Sequence, residues 1–189
     1  MLNECRYFDR ELALHTAPAL LGIKPACLVS MDSGKSEIKD DIEKFNKKAS
    51  VKGLEIKVLC SCGNRTLLFL YSSRLLSTHI SVEETIKILE KFGYKRNFSL
   101  DEHLERLSKR IEKNHEFPHE IGVFLGYPIK DVLGFIENKG KNYLFCGFWK
   151  VYSNPEKASR TFDNYGKCRK FLCNKLNQCN DIYQALKIS

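Results

Sequence analysis

Two β-type runs, Leu54–Leu59 and Thr66–Tyr71, are separated only by Cys60-Ser61-Cys62-Gly63-Asn64-Arg65. The link is rich in turn residues, so it suits an antiparallel hairpin and places two strands in the middle of a small sheet. Most of what flanks them has helical periodicity. Residues 3–14 read as a helix that ends where the chain bends at His15-Thr16-Ala17-Pro18, and Lys35–Lys48 reads as an amphipathic helix buried through Ile38, Ile42 and Phe45. Ser81 with Glu84, and Ser99 with Glu102, have the spacing of capping boxes and open helices over 81–93 and 99–114. Gly93 is placed to stop the first of these. A helix from Pro128 to Glu137 stops near Gly140, Tyr143–Tyr152 reads as one strand carrying the only tryptophan, Trp149, and a basic helix runs from Pro155 to Leu176.

The stretch Gly22–Met31 admits two readings. Pro25 can open a helix with Cys27 in its first turn, or Ala26–Met31 can form a short buried strand. With no repeat and no long linker, the expected fold is one α+β domain over residues 1–189, with helices packed on a small, mostly antiparallel sheet. A papain-like arrangement is one topology that fits.

The chain's 189 residues include twelve Phe and eight Tyr, enough for a sizeable core, and no apolar run approaches the ~20 residues that cross a bilayer. Membrane spanning is therefore not expected. The start, Met1-Leu2-Asn3-Glu4-Cys5-Arg6, lacks the basic and apolar regions of a signal peptide, which points to the cytoplasm and to eight cysteines held as thiols. A net charge of +8, concentrated late in the chain at residues such as Lys167, Arg169, Lys170 and Lys175, favours an anionic partner. An acidic carrier protein or a phosphorylated small molecule would suit it. No stacking strand or groove-reading helix accompanies the charge, which argues against nucleic acid.

The stretch most suggestive of chemistry is Phe117–Pro128, where His119 and Glu120 stand among apolar residues and two glycines. A thiol nucleophile requires an ionised sulfur, a base and a group that orients the base. Cys27, His119 and either Asp131 or Asn138 supply these in the chain order cysteine, histidine, acid or amide. The order is that of papain-like enzymes, although the sequence around Cys27 does not carry their signature. The reaction expected from the set is acyl transfer at an amide or thioester, with His15, Lys24, Glu120, Tyr127 and Trp149 as candidate substrate contacts and no cofactor.

Two other classes compete with it. Cys60 and Cys62, then Cys168, Cys173 and Cys179, with His115 and His119, offer metal ligands or redox-linked thiols, at spacings poorly suited to zinc. Lys24, Arg65, Arg74 and the late cations could instead form an anion- or ligand-binding module without chemistry, with Tyr127 and Trp149 stacking on the ligand.

Several strings taken together resemble an uncharacterised family, found mainly in clostridia and other anaerobic Firmicutes, whose members carry a domain of unknown function. These are His15-Thr16-Ala17-Pro18 with Gly22-Ile23-Lys24-Pro25, Phe117–Gly122 with Leu125-Gly126-Tyr127-Pro128, Gly134–Gly140, Trp149-Lys150-Val151-Tyr152 and Lys167-Cys168. The resemblance implies common ancestry and no activity. Relatives often have cysteine or serine at position 16 and serine or asparagine at position 27, where this chain has Thr16 and Cys27. This member has thus gained either a nucleophile or a buried thiol at position 27.

Overall fold

In the computed structural model, which describes residues 5–34, 37–113, 117–179 and 181–188, the hairpin forms as expected. Strands β2 (Leu54–Cys62) and β3 (Arg65–Ser72) pair antiparallel, and β1 (Ala26–Asp32) pairs antiparallel on the other side of β3. The link between β2 and β3 is tighter than the sequence suggests. Both strands run into it and leave a turn at Gly63 and Asn64, with Gly63 in the left-handed region at φ +54°. Buried at six of its eight positions, β3 occupies the middle of the order β1-β3-β2. The α+β class and the antiparallel sheet are as the sequence indicates.

The chain divides into two compact units, one built from the chain up to Leu76 together with the stretch from Lys167 onward, the other from Ser77–Gly166. In the first unit, α1 (Tyr7–Leu20) packs on β1 and α2 (Ile38–Ala49) packs on β2. Asn46 of α2 accepts from the backbone N–H of Ile56 at 2.7 Å and donates to its carbonyl at 2.9 Å, pairing the polar edge of β2. Phe8, Leu12, Phe45, Leu68 and Leu70 form the core with Leu172 and Leu176 from the later part of α8 (Pro155–Cys179). The short α9 (Ile182–Ala185) is capped by Asp181, which accepts from the N–H groups of Tyr183 and Gln184.

Two expectations about this unit change. His15-Thr16-Ala17-Pro18 is no bend, because α1 continues through Pro18 to Leu20. The helix closes only at Gly22, φ +72°, where Ile23 N–H reaches the Pro18 carbonyl at 2.8 Å and Gly22 N–H the Ala19 carbonyl at 3.0 Å. The two readings of Gly22–Met31 resolve to the strand, so Cys27 lies inside β1 opposite Leu70 and not in the first turn of a helix. Residues 3 and 4 of the first expected helix and residues 35 and 36 of the second lie outside the described residues.

The second unit holds the end of α3 (Ser73–Ile80), then α4 (Glu83–Lys91), α5 (Leu100–Lys113), α6 (Ile121–Phe124) and α7 (Ile129–Glu137), followed by strands β4 (Phe145–Cys146) and β5 (Lys150–Val151) and the start of α8. Only one of the two capping boxes forms. Ser99 N–H donates to Glu102 Oε2 at 2.7 Å and Glu102 N–H to Ser99 Oγ at 3.2 Å, but Ser81 Oγ donates back to the Thr78 carbonyl at 2.9 Å and α4 starts after it. Ser81 is drawn into ending α3, a helix the sequence reading lacks. Tyr143–Tyr152 is not one strand. It folds at Gly147-Phe148-Trp149 into the β4–β5 hairpin, with Cys146 opposite Lys150. Among the described residues no helix is long and apolar enough to cross a membrane.

Candidate functional site

The segment Phe117–Pro128 is shaped by its glycines. Gly126, φ +69°, ends α6 as Tyr127 N–H reaches the Gly122 carbonyl at 2.9 Å, which turns Tyr127 back over the helix. A Cβ at Gly122 would stand 3.1 Å from Val132 and 3.3 Å from the Tyr127 ring, so the absent side chain lets α7 and Tyr127 approach. Pro128 then precedes α7, whose first turn carries Asp131.

This packing leaves an open cavity of about 400 Å³ within the second unit. Its walls are rings, Phe117, Tyr127, Phe135, Phe148 and Trp149, with His119, Cys146 and Lys150 among them. Tyr127 stacks on Trp149 at 5.0 Å and 29°, and the indole meets Phe162 edge-on at 4.5 Å. The exposed His119 ring lies edge-on to Phe135 at 5.3 Å. Lys150 Nζ donates to the Gly140 carbonyl at 2.8 Å and sits 5.0 Å and 5.7 Å from the centroids of Tyr143 and Phe135. Its charge is held in place by two ring faces and a carbonyl.

Asp131 is 2% exposed and fully employed. Its Oδ2 accepts Trp149 Nε1–H at 2.7 Å, and its Oδ1 accepts Tyr152 N–H, Ser153 N–H and Ser153 Oγ–H at 2.9, 2.7 and 2.8 Å. The carboxylate ties the β4–β5 ribbon to α7 and aims the indole into the cavity. Asn138 serves the end of α7, donating to the Gly134 carbonyl at 2.9 Å, and does not line the cavity. Glu120 parts from His119. It is fully buried and accepts from Arg110 Nε and from Tyr94 Oη, the latter at 3.2 Å. Burial, with the Glu120 charge beside it, pushes the Tyr94 hydroxyl far above its ordinary range.

The remaining expected residues belong to the first unit. Cys27 is 5% exposed, and burial pushes its thiol up while Lys24 opposes the rise. Lys24, equally buried, is held below its ordinary range by the same desolvation. His15 is exposed on α1 with Nε2 3.4 Å from Glu11 Oε2. Among the described residues no three His, Cys, Asp or Glu side chains gather closely enough to hold a metal ion, and His115 lies outside those residues.

His119, Asp131, Tyr127 and Trp149 are thus brought to one cavity, while Cys27, Lys24 and His15 lie in the other unit. Sequence reasoning missed Phe117, Phe135, Phe148, Lys150 and Cys146 as lining residues. For the last three the available signal was Gly147, a strand-breaking residue in the middle of an apparent strand. Residues 12–186 match the model of a family described only as of unknown function. No curated protein and no solved structure matches the chain.

Proposed function

Since the chain belongs to the family Protein of unknown function (DUF3793), whose description assigns no activity, we propose from the site itself that it is a binding module for a flat, mainly apolar ligand that carries an acidic group. The observation behind this is the ring-walled cavity of about 400 Å³, a volume within the usual range for small-molecule sites. Ring walls favour a planar body. The acidic group is suited by Lys150 and His119, while the one lining carboxylate, Asp131, already has four donors on its two oxygens.

Trp149 is the only tryptophan and lines the cavity, so its emission reports the site directly. Titration with 2-naphthoate is expected to change that emission saturably, and uncharged 2-naphthamide to bind about tenfold more weakly, the equivalent of ~1.4 kcal/mol for the lost charge contact. An emission that stays flat, or changes without saturating, overturns the reading. Acyl transfer through Cys27 and His119 has less behind it, because the reactive form of a thiol is the thiolate and burial opposes ionisation of Cys27.

The net charge supports an anionic macromolecular partner as a separate function of the surface. The first unit has seventeen basic against ten acidic residues, the second fourteen against thirteen. An acidic carrier protein suits this excess. No disulfide joins any of the eight cysteines among the described residues, which suits a reducing compartment such as the cytoplasm.

A further inference from the structure

We propose that the cavity also holds a reactive thiol, Cys146, which takes an acyl group from an activated acyl ligand bound there; this rests on the ligand-binding reading above. Three placements converge on it. Cys146 is exposed and free, and its residue is the only cysteine in the cavity wall. The β4–β5 register sets it directly opposite Lys150, whose ammonium is pinned to the Gly140 carbonyl, and side chains opposed in this way have Cβ atoms only ~5 Å apart. His119 lines the same cavity, and imidazole is the side chain most often used to move a proton in acyl transfer.

The reaction is a transthioesterification or its ester equivalent. An imidazole nitrogen of His119 takes the thiol proton, and Sγ of Cys146 bonds to the carbonyl carbon of the thioester or aryl ester. The bond from that carbon to its sulfur or oxygen leaving group breaks. The leaving group departs with the proton returned by the imidazolium, so a thiol or phenol is released and the acyl group stays on Cys146 as a thioester. Lys150 offers its charge to the oxygen that becomes negative in the tetrahedral intermediate.

The test uses the full chain and 4-nitrophenyl phenylacetate, following nitrophenolate release and locating the acyl group by peptide mass. Cys62 is exposed as well and lies in the other unit, so it serves as an internal measure of ordinary thiol reactivity. Cys146 is expected to acylate at least about a hundredfold faster than Cys62, and His119→Gln to remove about that factor, the usual contribution of a positioned base. A thermal unfolding midpoint and circular dichroism spectrum equal to those of the unaltered chain show that His119→Gln is folded.

Acylation of Cys146 no faster than that of Cys62 overturns the inference, and so does fast acylation that His119→Gln leaves unchanged. If Cys146 stays unacylated while 2-naphthoate still titrates Trp149, only the thiol inference falls. If Trp149 does not respond to 2-naphthoate, both fall.

Discussion

Asp131 shows how one residue organises the site through the hydrogen bonds it accepts. Its carboxylate accepts four hydrogen bonds while 2% exposed, and it stands in the first turn of α7, where a negative charge is favoured by the unpaired N–H groups. Asp131→Asn puts an NH2 where an acceptor is required, facing either the indole N–H or the backbone donors. Loss of about 2–4 kcal/mol is expected, the range for leaving buried donors unpaired or breaking a buried charged network. Urea unfolding followed by Trp149 emission checks it, and an unchanged midpoint would remove Asp131 from this role. A second residue-scale prediction concerns Glu83, whose carboxyl is lowered from 4.5 to about 2 by hydrogen bonds from Arg96, with Lys87 adding to the effect. Because the folded value is depressed, the ion pair's contribution is present above the unfolded value near 4.5 and is lost as pH falls through about 2. The pair is exposed, so its effect is read as a titration and not as stability. In Arg96→Ala, carboxyl NMR shifts should return Glu83 to the ordinary range; a midpoint still near 2 would assign the shift to another group.

Among the elements, the β4–β5 hairpin decides whether a cavity exists. Gly147 lies at its turn, and a Cβ there would run into the Phe162 ring. Gly147→Ala is therefore expected to cost about 1–3 kcal/mol through overpacking and to weaken 2-naphthoate binding, since Phe148 and Trp149 follow directly. Calorimetry and the Trp149 titration together check this, and an alanine that leaves both unchanged would show that the turn has slack. The same hairpin shows how far sequence reached. Signals satisfied by a few neighbouring residues could be read, as in the Ser99–Glu102 box, the helix stop at Gly93 and the proline before α7. Signals decided by a competing partner could not. Ser81 has the spacing of a cap, yet its hydroxyl goes to the Thr78 carbonyl. Pro18 looks like a helix end, yet the closure at Gly22 holds α1 through it. His119, Tyr127 and Trp149 were legible because an apolar, glycine-bearing segment and the only tryptophan stand out in composition, while Asp131 entered only as an acid that follows His119 in chain order. Cys146 and Lys150 were not, because their opposition depends on a register set by a turn within what reads as a single strand.

For the whole molecule, ring-walled cavity and charge excess fall in different places. The cavity is confined to the second unit, which is close to neutral, while the first unit carries most of the net +8. On the proposed reading, a small acidic ligand and an acidic macromolecule would address different parts of the chain, and their binding should separate experimentally. Polyglutamate, as a probe for an acidic protein surface, is expected to bind at ~0.05 M salt and to be released by ~0.3 M, where the Debye length has fallen to roughly half its value at ~0.05 M or below. Reversing the charges of Lys167, Arg169 and Lys170, all exposed on α8 in the first unit, should abolish that binding and leave the 2-naphthoate titration of Trp149 unchanged. If the reversed chain still binds polyglutamate, the cations of α8 are a solvated helix face. If it loses both ligands together, the assignment of cavity and charge to separate functions fails.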